Sequence, residues 1–287
     1  MKIALGSVQF GCDYGISNEA GQVNRTELAT ILAYASNVGI SLIDTAPAYG
    51  NSEIELGSSC FKHNFSFVSK ISPDCPIENI VSSSETSIRS LKIHKLDALL
   101  LHHGEQLLSD KGDLIYEQLL KVKNHNRLTK KIGCSVYSPK EALTIVERYN
   151  VDIVQIPASI FDQRVFQDDI LAKLKEKDIE VHVRSLFLQG ALFLPPNKLP
   201  LHLEKLKPVL KKLNTALIEN KTDILTLAIA PFVQNKNIDK IVLGCCSLKQ
   251  LKEIITAYKN AKTLSFAYRD HAIFDENIIN PSLWPSN

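Results

Sequence analysis

Eight short apolar runs, each followed by a stretch of helical period, set the tightest limit on how this chain of 287 residues can fold. The runs fall at residues 2–5, 42–44, 67–70, 96–101, 132–135, 153–157, 180–184 and 241–244. The fourth reads Leu96-Asp97-Ala98-Leu99-Leu100-Leu101. Such a run suits a parallel strand covered on both faces better than an antiparallel strand with one wet face. Between the runs, residues 25–38 carry Leu28, Ile31, Leu32 and Ala35 at helical spacing, and 77–91 show a weaker stripe. A helix over 139–149 is announced by Ser138 as N-cap, Pro139 at the first position and Glu141 in the first turn. Another, over 248–259, follows Ser247, and Ser247 with Gln250 has capping-box spacing. Strand–helix alternation predicts a parallel α/β sheet, and eight strands is the number that closes a (β/α)8 TIM barrel in a single domain over 1–287. A doubly wound open sheet is the alternative, because strand count alone does not impose closure. Two segments interrupt the rhythm: a proline-rich loop at 195–200 and a C-terminal tail from about residue 260.

Charge and cysteine content narrow the function. Basic and acidic residues nearly cancel, 33 against 31, so nothing predicts a nucleic-acid or membrane-surface partner. No apolar run approaches the roughly 18–20 residues that span a bilayer, and the opening segment, broken by Gly6, is too short for a signal sequence. Cys12, Cys60, Cys75, Cys134, Cys245 and Cys246 show neither Cys-x-x-Cys spacing nor histidines at zinc-site intervals. The reading is reduced thiols, no metal and a cytoplasmic protein.

A barrel places its chemistry at the carboxyl ends of its strands. Polar residues gather at three successive ends: Asp44 through Tyr49 after the second run, Lys70 at the third, His102 and His103 after the fourth. Singly, each has an ordinary role as a cap, a rim residue or a solvated charge. Together they suit proton delivery to a carbonyl oxygen. A tyrosine acts as acid when a lysine ammonium stabilises its anion; an aspartate keeps that lysine charged, and a histidine orients the carbonyl.

Asp44-Thr-Ala-Pro-Ala-Tyr49-Gly-Asn-Ser-Glu53 resembles the signature of the aldo-keto reductases, and Leu5-Gly6-Ser7-Val8-Gln9-Phe10-Gly11 resembles their opening strand and loop. The resemblance implies a catalytic set of Asp44, Tyr49, Lys70 and His102; the spacing from Asp97 favours His102 over His103. It continues through Ile132-Gly133-Cys134-Ser135-Val136, where Ser135 and Gln155 match positions that hold a nicotinamide carboxamide, although the family's asparagine is Val136 here. In the segment from Val183 to Gly190, Arg184 stands where relatives carry an aromatic beside the nicotinamide, and Ser185 and Leu188 match positions near the pyrophosphate. The segment from Val242 to Glu253 resembles the adenosine-binding loop and helix, with Gln250 and Glu253 at adenosine-contacting positions. The lysine and arginine that grip a 2′-phosphate in many relatives are Gly244 and Gln250 here, which leaves Lys249 as a partial substitute. The resemblance thus implies NADPH as cofactor, with NADH possible.

The expectation is an NAD(P)H-dependent reductase of an aldehyde or ketone, its polar loops leaning toward a sugar-like or short-chain carbonyl. Two alternatives stand beside it. One is a Schiff-base lyase or aldolase with Lys70 as nucleophile; the other is a non-catalytic cofactor-binding regulatory subunit.

Overall fold

The computed structural model describes residues 1–285. Eight strands appear in the expected order: β1 (Ile3–Gly6), β2 (Leu42–Asp44), β3 (Ser66–Ile71), β4 (Leu96–Leu101), β5 (Thr129–Ser135), β6 (Ile153–Pro157), β7 (Glu180–Arg184) and β8 (Lys240–Gly244). Each pairs in parallel with the next, and β1 pairs with β8 from Ile3–Ile241 to Gly6–Gly244. That last pairing makes the sheet a closed barrel and rules out the open alternative. β5 begins three residues before its apolar run, because Thr129, Lys130 and Lys131 extend the ladder at the amino-terminal mouth. There Lys131 meets Glu180 over 2.5 Å and Asp97 over 3.4 Å, which gives polar residues a reason to sit in a strand.

Successive strand residues face opposite sides of a sheet, so each strand splits into inward and outward sets. Outward residues such as Ile3, Leu5, Ile43, Leu99, Leu101, Val154 and Val183 join the main core beneath the helices. Inward, a separate small cluster of Ala4, Leu42, Val68, Ala98, Leu100 and Ile153 plugs the barrel. The alternation continues to the strand ends. Asp44 lies two residues beyond Leu42, Lys70 two beyond Val68, His102 two beyond Leu100, and Gln155 two beyond Ile153. The apolar plug therefore carries a polar layer on top of it.

The helices cover the outside. Helix Arg25–Asn37 buries Leu28, Ile31, Leu32 and Ala35, as its spacing predicts. Each fully buried Leu or Ile contributes about 1.5–3 kcal/mol, so Ile31→Ala here would cost about 2–5 kcal/mol. The stretch 77–91 divides into a short 3-10 turn, Ile77–Asn79, and an α-helix, Ile80–Leu91. Helix Pro139–Arg148 has Ser138 as N-cap, its side chain accepting from the Glu141 amide. Helix Leu248–Ala261 runs two residues past its predicted end.

A second apolar cluster lies beside the barrel mouth. It joins Leu188 and Leu192 after β7, Leu206, Leu210 and Leu213 of helix Leu206–Glu219, Leu227 of helix Ile224–Gln234, and Ile278 and Ile279 of the tail. The tail is thus packed on the barrel, with the Trp284 indole N–H donating to the Ile278 carbonyl over 3.2 Å. All six cysteines are unpaired. Among the described residues no helix is long and apolar enough to cross a membrane, and no three His, Cys, Asp or Glu side chains gather as metal ligands would.

Candidate active site

The polar layer is organised around one buried lysine. Lys70 Nζ donates to Asp44 Oδ1 over 2.6 Å, to the Thr45 carbonyl over 3.1 Å and to the Tyr49 hydroxyl over 3.3 Å. With three acceptors its three donors are matched, so a side chain only 1% exposed carries its charge without an orphaned proton. Burial alone would pull its pKa down; Asp44 first, then Tyr49, more than offset this and the net shift is upward. The second oxygen of Asp44 accepts from Gln155 Nε2 over 2.7 Å, which ties β2, β3 and β6 together at their ends.

Tyr49 is held by backbone contacts that require small residues. A Cβ on Gly11 would lie 1.8 Å from the Tyr49 carbonyl oxygen and 2.4 Å from the Ser52 nitrogen, so only glycine lets the loop after β1 pass this close. Gly50, in the left-handed region at φ +57°, faces Gly11 from the other side. Ser52 donates to the Ser7 carbonyl over 2.9 Å, and Glu53 accepts from Ser69 over 2.6 Å. Within the motif, then, Asp44 and Tyr49 meet Lys70, whereas Ser52 and Glu53 fasten the loop.

The two histidines part company. The His102 ring meets the Tyr49 ring edge-on, centroids 5.8 Å apart. His103 turns to Tyr137, its Nε2 lying 3.2 Å from the Tyr137 hydroxyl, and approaches Glu105 at 3.7 Å. Burial above all, then the charges of Lys70 and Arg184, push the His102 pKa down to about 3. His102 is therefore neutral at physiological pH, able to give one hydrogen bond and accept another. Above these residues opens a cleft of about 1040 Å³, lined by Tyr14, Asp44, Tyr49, His102, Tyr137 and Arg184 at one end and by Ser247, Gln250 and Glu253 at the other.

The family model for the aldo/keto reductases matches residues 2–270. This chain belongs to that family. It is therefore an oxidoreductase, and carbonyl reduction is the family's chemistry. Among solved structures, the holo form of the aldo-keto reductase AKR11C1 from Bacillus halodurans is 18% identical, with 96% of this chain and 95% of that one covered at a TM-score of 0.73. A Pseudomonas aeruginosa protein assigned to the aldo-keto reductases is 20% identical over 91% and 90%, with a TM-score of 0.66. At these identities the likeness is one of fold. Comparison with curated proteins gives no match.

In this aldo/keto reductase the expected cofactor residues do not all reach the cleft. Gln155, Arg184, Ser185, Gly244, Gln250 and Glu253 line it. Gln155, having spent its amide N–H on Asp44, leaves Oε1 buried without a partner, and Gln9 Oε1, beside Gly244, is likewise orphaned. Leu188 is 1% exposed and packs into the second apolar cluster, Lys249 is exposed, and Ser135 is fully buried; none of the three lines the cleft. Arg184 donates to the Ser135 hydroxyl over 3.1 Å, the Ser185 hydroxyl over 3.1 Å and the Val136 carbonyl over 3.0 Å, with its guanidinium 5.2 Å from the Tyr137 ring centre. Tyr137 is a site residue that the sequence reading missed; only its place just beyond β5 signalled it. The turn after Arg184 holds Ser185, Leu188 and Gln189 at positive φ, a strained backbone that presents Gln189 and Gly190 to the cleft.

Proposed function

We propose that this chain reduces an aldehyde or ketone to an alcohol using a nicotinamide dinucleotide, with Tyr49 as the proton donor. One observation carries the reading: the Tyr49 hydroxyl lies 3.3 Å from an ammonium that Asp44 holds charged. As the carbonyl becomes an alkoxide, Tyr49 gives up its proton and Lys70 stabilises the phenolate left behind. His102, neutral and set against the Tyr49 ring, supplies a hydrogen bond that fixes the carbonyl oxygen. A nicotinamide cofactor, when bound, contributes the hydride.

The residues present suit such a cofactor. The buried acceptor Gln155 Oε1, unsatisfied within the protein, fits the N–H of a carboxamide, and Ser135 adjoins it as the residue paired with Gln155 in the β5–β6 ladder. Arg184 presents a planar cation beside them. The strained Ser185–Gly190 turn and the Gly244–Glu253 segment then serve the pyrophosphate and adenosine, with Leu188 and Lys249 confined to backbone contacts. Tyr14 and Tyr137 give the substrate end a polar character that favours a sugar-like or short-chain carbonyl.

The Schiff-base reading loses ground here. A nucleophilic lysine needs a lowered pKa and an open approach, and Lys70 has neither. Turnover of NADH or NADPH with a panel of aldehydes, ketones and sugars tests the proposal. Borohydride trapping of a substrate on Lys70, without cofactor turnover, would replace it with the lyase.

A further inference from the structure

The loop that follows β6 carries a charged pair into the protein interior. Its residues Ala158 through Asp162 are at most 2% exposed. Ser159 turns the chain there, its hydroxyl accepting from the Phe161 amide over 3.1 Å and the Asp162 amide over 2.8 Å. The Asp162 carboxylate then meets Arg164. Nε donates to Asp162 Oδ1 over 2.8 Å and Nη2 to Oδ2 over 2.9 Å, a forked pair in which the arginine side chain is 14% exposed. That pair alone would fasten the loop. Arg164 also reaches in two further directions. Nη2 donates to the Tyr137 carbonyl over 3.2 Å, and Nη1 to Glu276 Oε1 over 2.8 Å, in helix Glu276–Ile279 of the tail.

Tyr137 is thereby held at both of its backbone groups. Its amide donates to Glu141 Oε2 over 3.0 Å, a contact made locally by the next helix. Its carbonyl is taken by a residue 27 positions away. The ring is left to the cleft, with the Arg184 guanidinium 5.2 Å from its centre and the hydroxyl 3.2 Å from His103 Nε2. The same loop is fastened to the tail at two more points. The Ile273 amide donates to the Phe161 carbonyl over 2.8 Å, and Gln163 Nε2 to the Tyr268 carbonyl over 2.7 Å. Beyond these points the tail reaches the cleft, which Pro281 and Ser282 line. Arg164 itself is not among the lining residues.

We propose that Arg164 is a positioning residue: through the Tyr137 carbonyl it sets the wall against which the carbonyl substrate binds, and through Glu276 it ties that wall to the tail. The inference rests on the reductase reading above. Tyr137 takes no part in the proton transfer of that reading, since its hydroxyl is turned to His103 while Tyr49 meets Lys70. What it offers a substrate is shape and a polar edge. A guanidinium suits the task, because its rigid fork grips a carboxylate and still points other N–H groups in fixed directions. An ammonium, a single nitrogen, cannot span Asp162, the Tyr137 carbonyl and Glu276 together. Loss of the Tyr137 contact weakens substrate and transition state alike, which raises KM and leaves kcat in place. Arg184 keeps its bonds to Ser135, Ser185 and the Val136 carbonyl, so cofactor affinity is little changed.

The test is steady-state reduction of glyceraldehyde, a short polar aldehyde, by the full-length protein with NADPH and with NADH. Arg164→Lys keeps a cation for the buried Asp162 and gives up the fork. It should raise KM for glyceraldehyde by about 10-fold with kcat within about 3-fold of wild type. In a Tyr137→Ala background the same substitution should change KM by less than about 2-fold, because the two residues act as one unit. A staple that only stabilised the fold would lower the melting temperature and leave the KM of folded enzyme where it was. An unmoved KM in folded Arg164→Lys overturns the proposal, as does an equal rise with and without the Tyr137 side chain. Should Arg164→Lys fail to fold, Glu276→Gln decides: its carboxylate is 62% exposed, so the fold tolerates the change. There KM should rise by about 3-fold, and an unchanged value sinks the proposal. If wild type reduces glyceraldehyde with neither cofactor, the reading of a reductase for short polar carbonyls itself fails and takes this one with it.

Discussion

Lys70 and Asp44 form an ion pair of 2.6 Å whose side chains are 1% and 4% exposed, directly above the apolar plug of the barrel. A pair so placed is poor economy for stability alone, since apolar side chains of similar size commonly do as well. Its position against the Tyr49 hydroxyl suits the proton transfer proposed above, in which it is a fixed positive charge beside the phenolate.

Lys70→Met should therefore change the pH profile as well as the rate. Because the Lys70 pKa is raised, its ammonium stays charged across the working range and contributes no titration of its own. Alcohol oxidation needs a deprotonated acceptor for the substrate's proton. Removing the cation disfavours the phenolate, so the rising limb of that profile should move to higher pH. Steady-state rates from pH 6 to 10 would show it; an unmoved limb would sever Lys70 from proton transfer.

His102 makes a prediction about stability. Its folded pKa is about 3, below the unfolded histidine value near 6.5. Between those pH values the unfolded chain binds the proton and the folded chain does not, so stability falls as pH drops from 6.5 toward 3. His102→Gln removes this contribution. Denaturant melts at pH 7 and pH 4.5 should show the variant losing less stability than wild type over that interval. An equal loss would mean that His102 is more freely solvated than its packing against Tyr49 implies.

Much of this architecture is legible in the chain because two periods carry it. The period of two that marks Leu42, Val68, Leu100 and Ile153 as inward also delivers Asp44, Lys70, His102 and Gln155 to one layer, and the same parity sets His103 apart. Closure is not legible, since the β1–β8 pairing depends on strand tilt and stagger around the whole barrel. Nor are contacts that bridge distant segments. Nothing local tells that Glu27 caps a helix 221 residues away, or that Gln155 donates to Asp44. Leu188 and Lys249 show the limit from the other side. Each sits in a segment that lines the cleft, yet a positive-φ turn sends the Leu188 side chain into a core, and Lys249 projects into solvent.

Gly11 offers a test of how the Tyr49 loop is held. A methyl group there collides with the Tyr49 carbonyl and the Ser52 amide, both backbone atoms that cannot rotate away. Gly11→Ala should destabilise the fold by about 1–3 kcal/mol, the usual range for overpacking, and lower turnover by at least about 10-fold through displacement of Tyr49. A thermal melt alongside a rate measurement would separate the two effects. Wild-type turnover would show that the loop reorganises without moving the hydroxyl.

The most direct test is Tyr49→Phe, which deletes one oxygen and leaves the ring that meets His102 and Lys70. With the proton donor gone, turnover should fall by about 10²–10⁴-fold, the usual worth of a positioned acid. Cofactor affinity should hardly change, since Ser135, Gln155, Arg184 and the Gly244–Glu253 segment are untouched. His102→Gln should also cost rate, because a neutral ring beside Tyr49 is lost. His103→Gln should cost much less, because His103 spends its contacts on Tyr137 and Glu105. A lysine-centred lyase predicts a different ranking, with Lys70→Met inactive and Tyr49→Phe mild. Near-wild-type turnover in Tyr49→Phe, with cofactor still bound, would end the proton-transfer role proposed here.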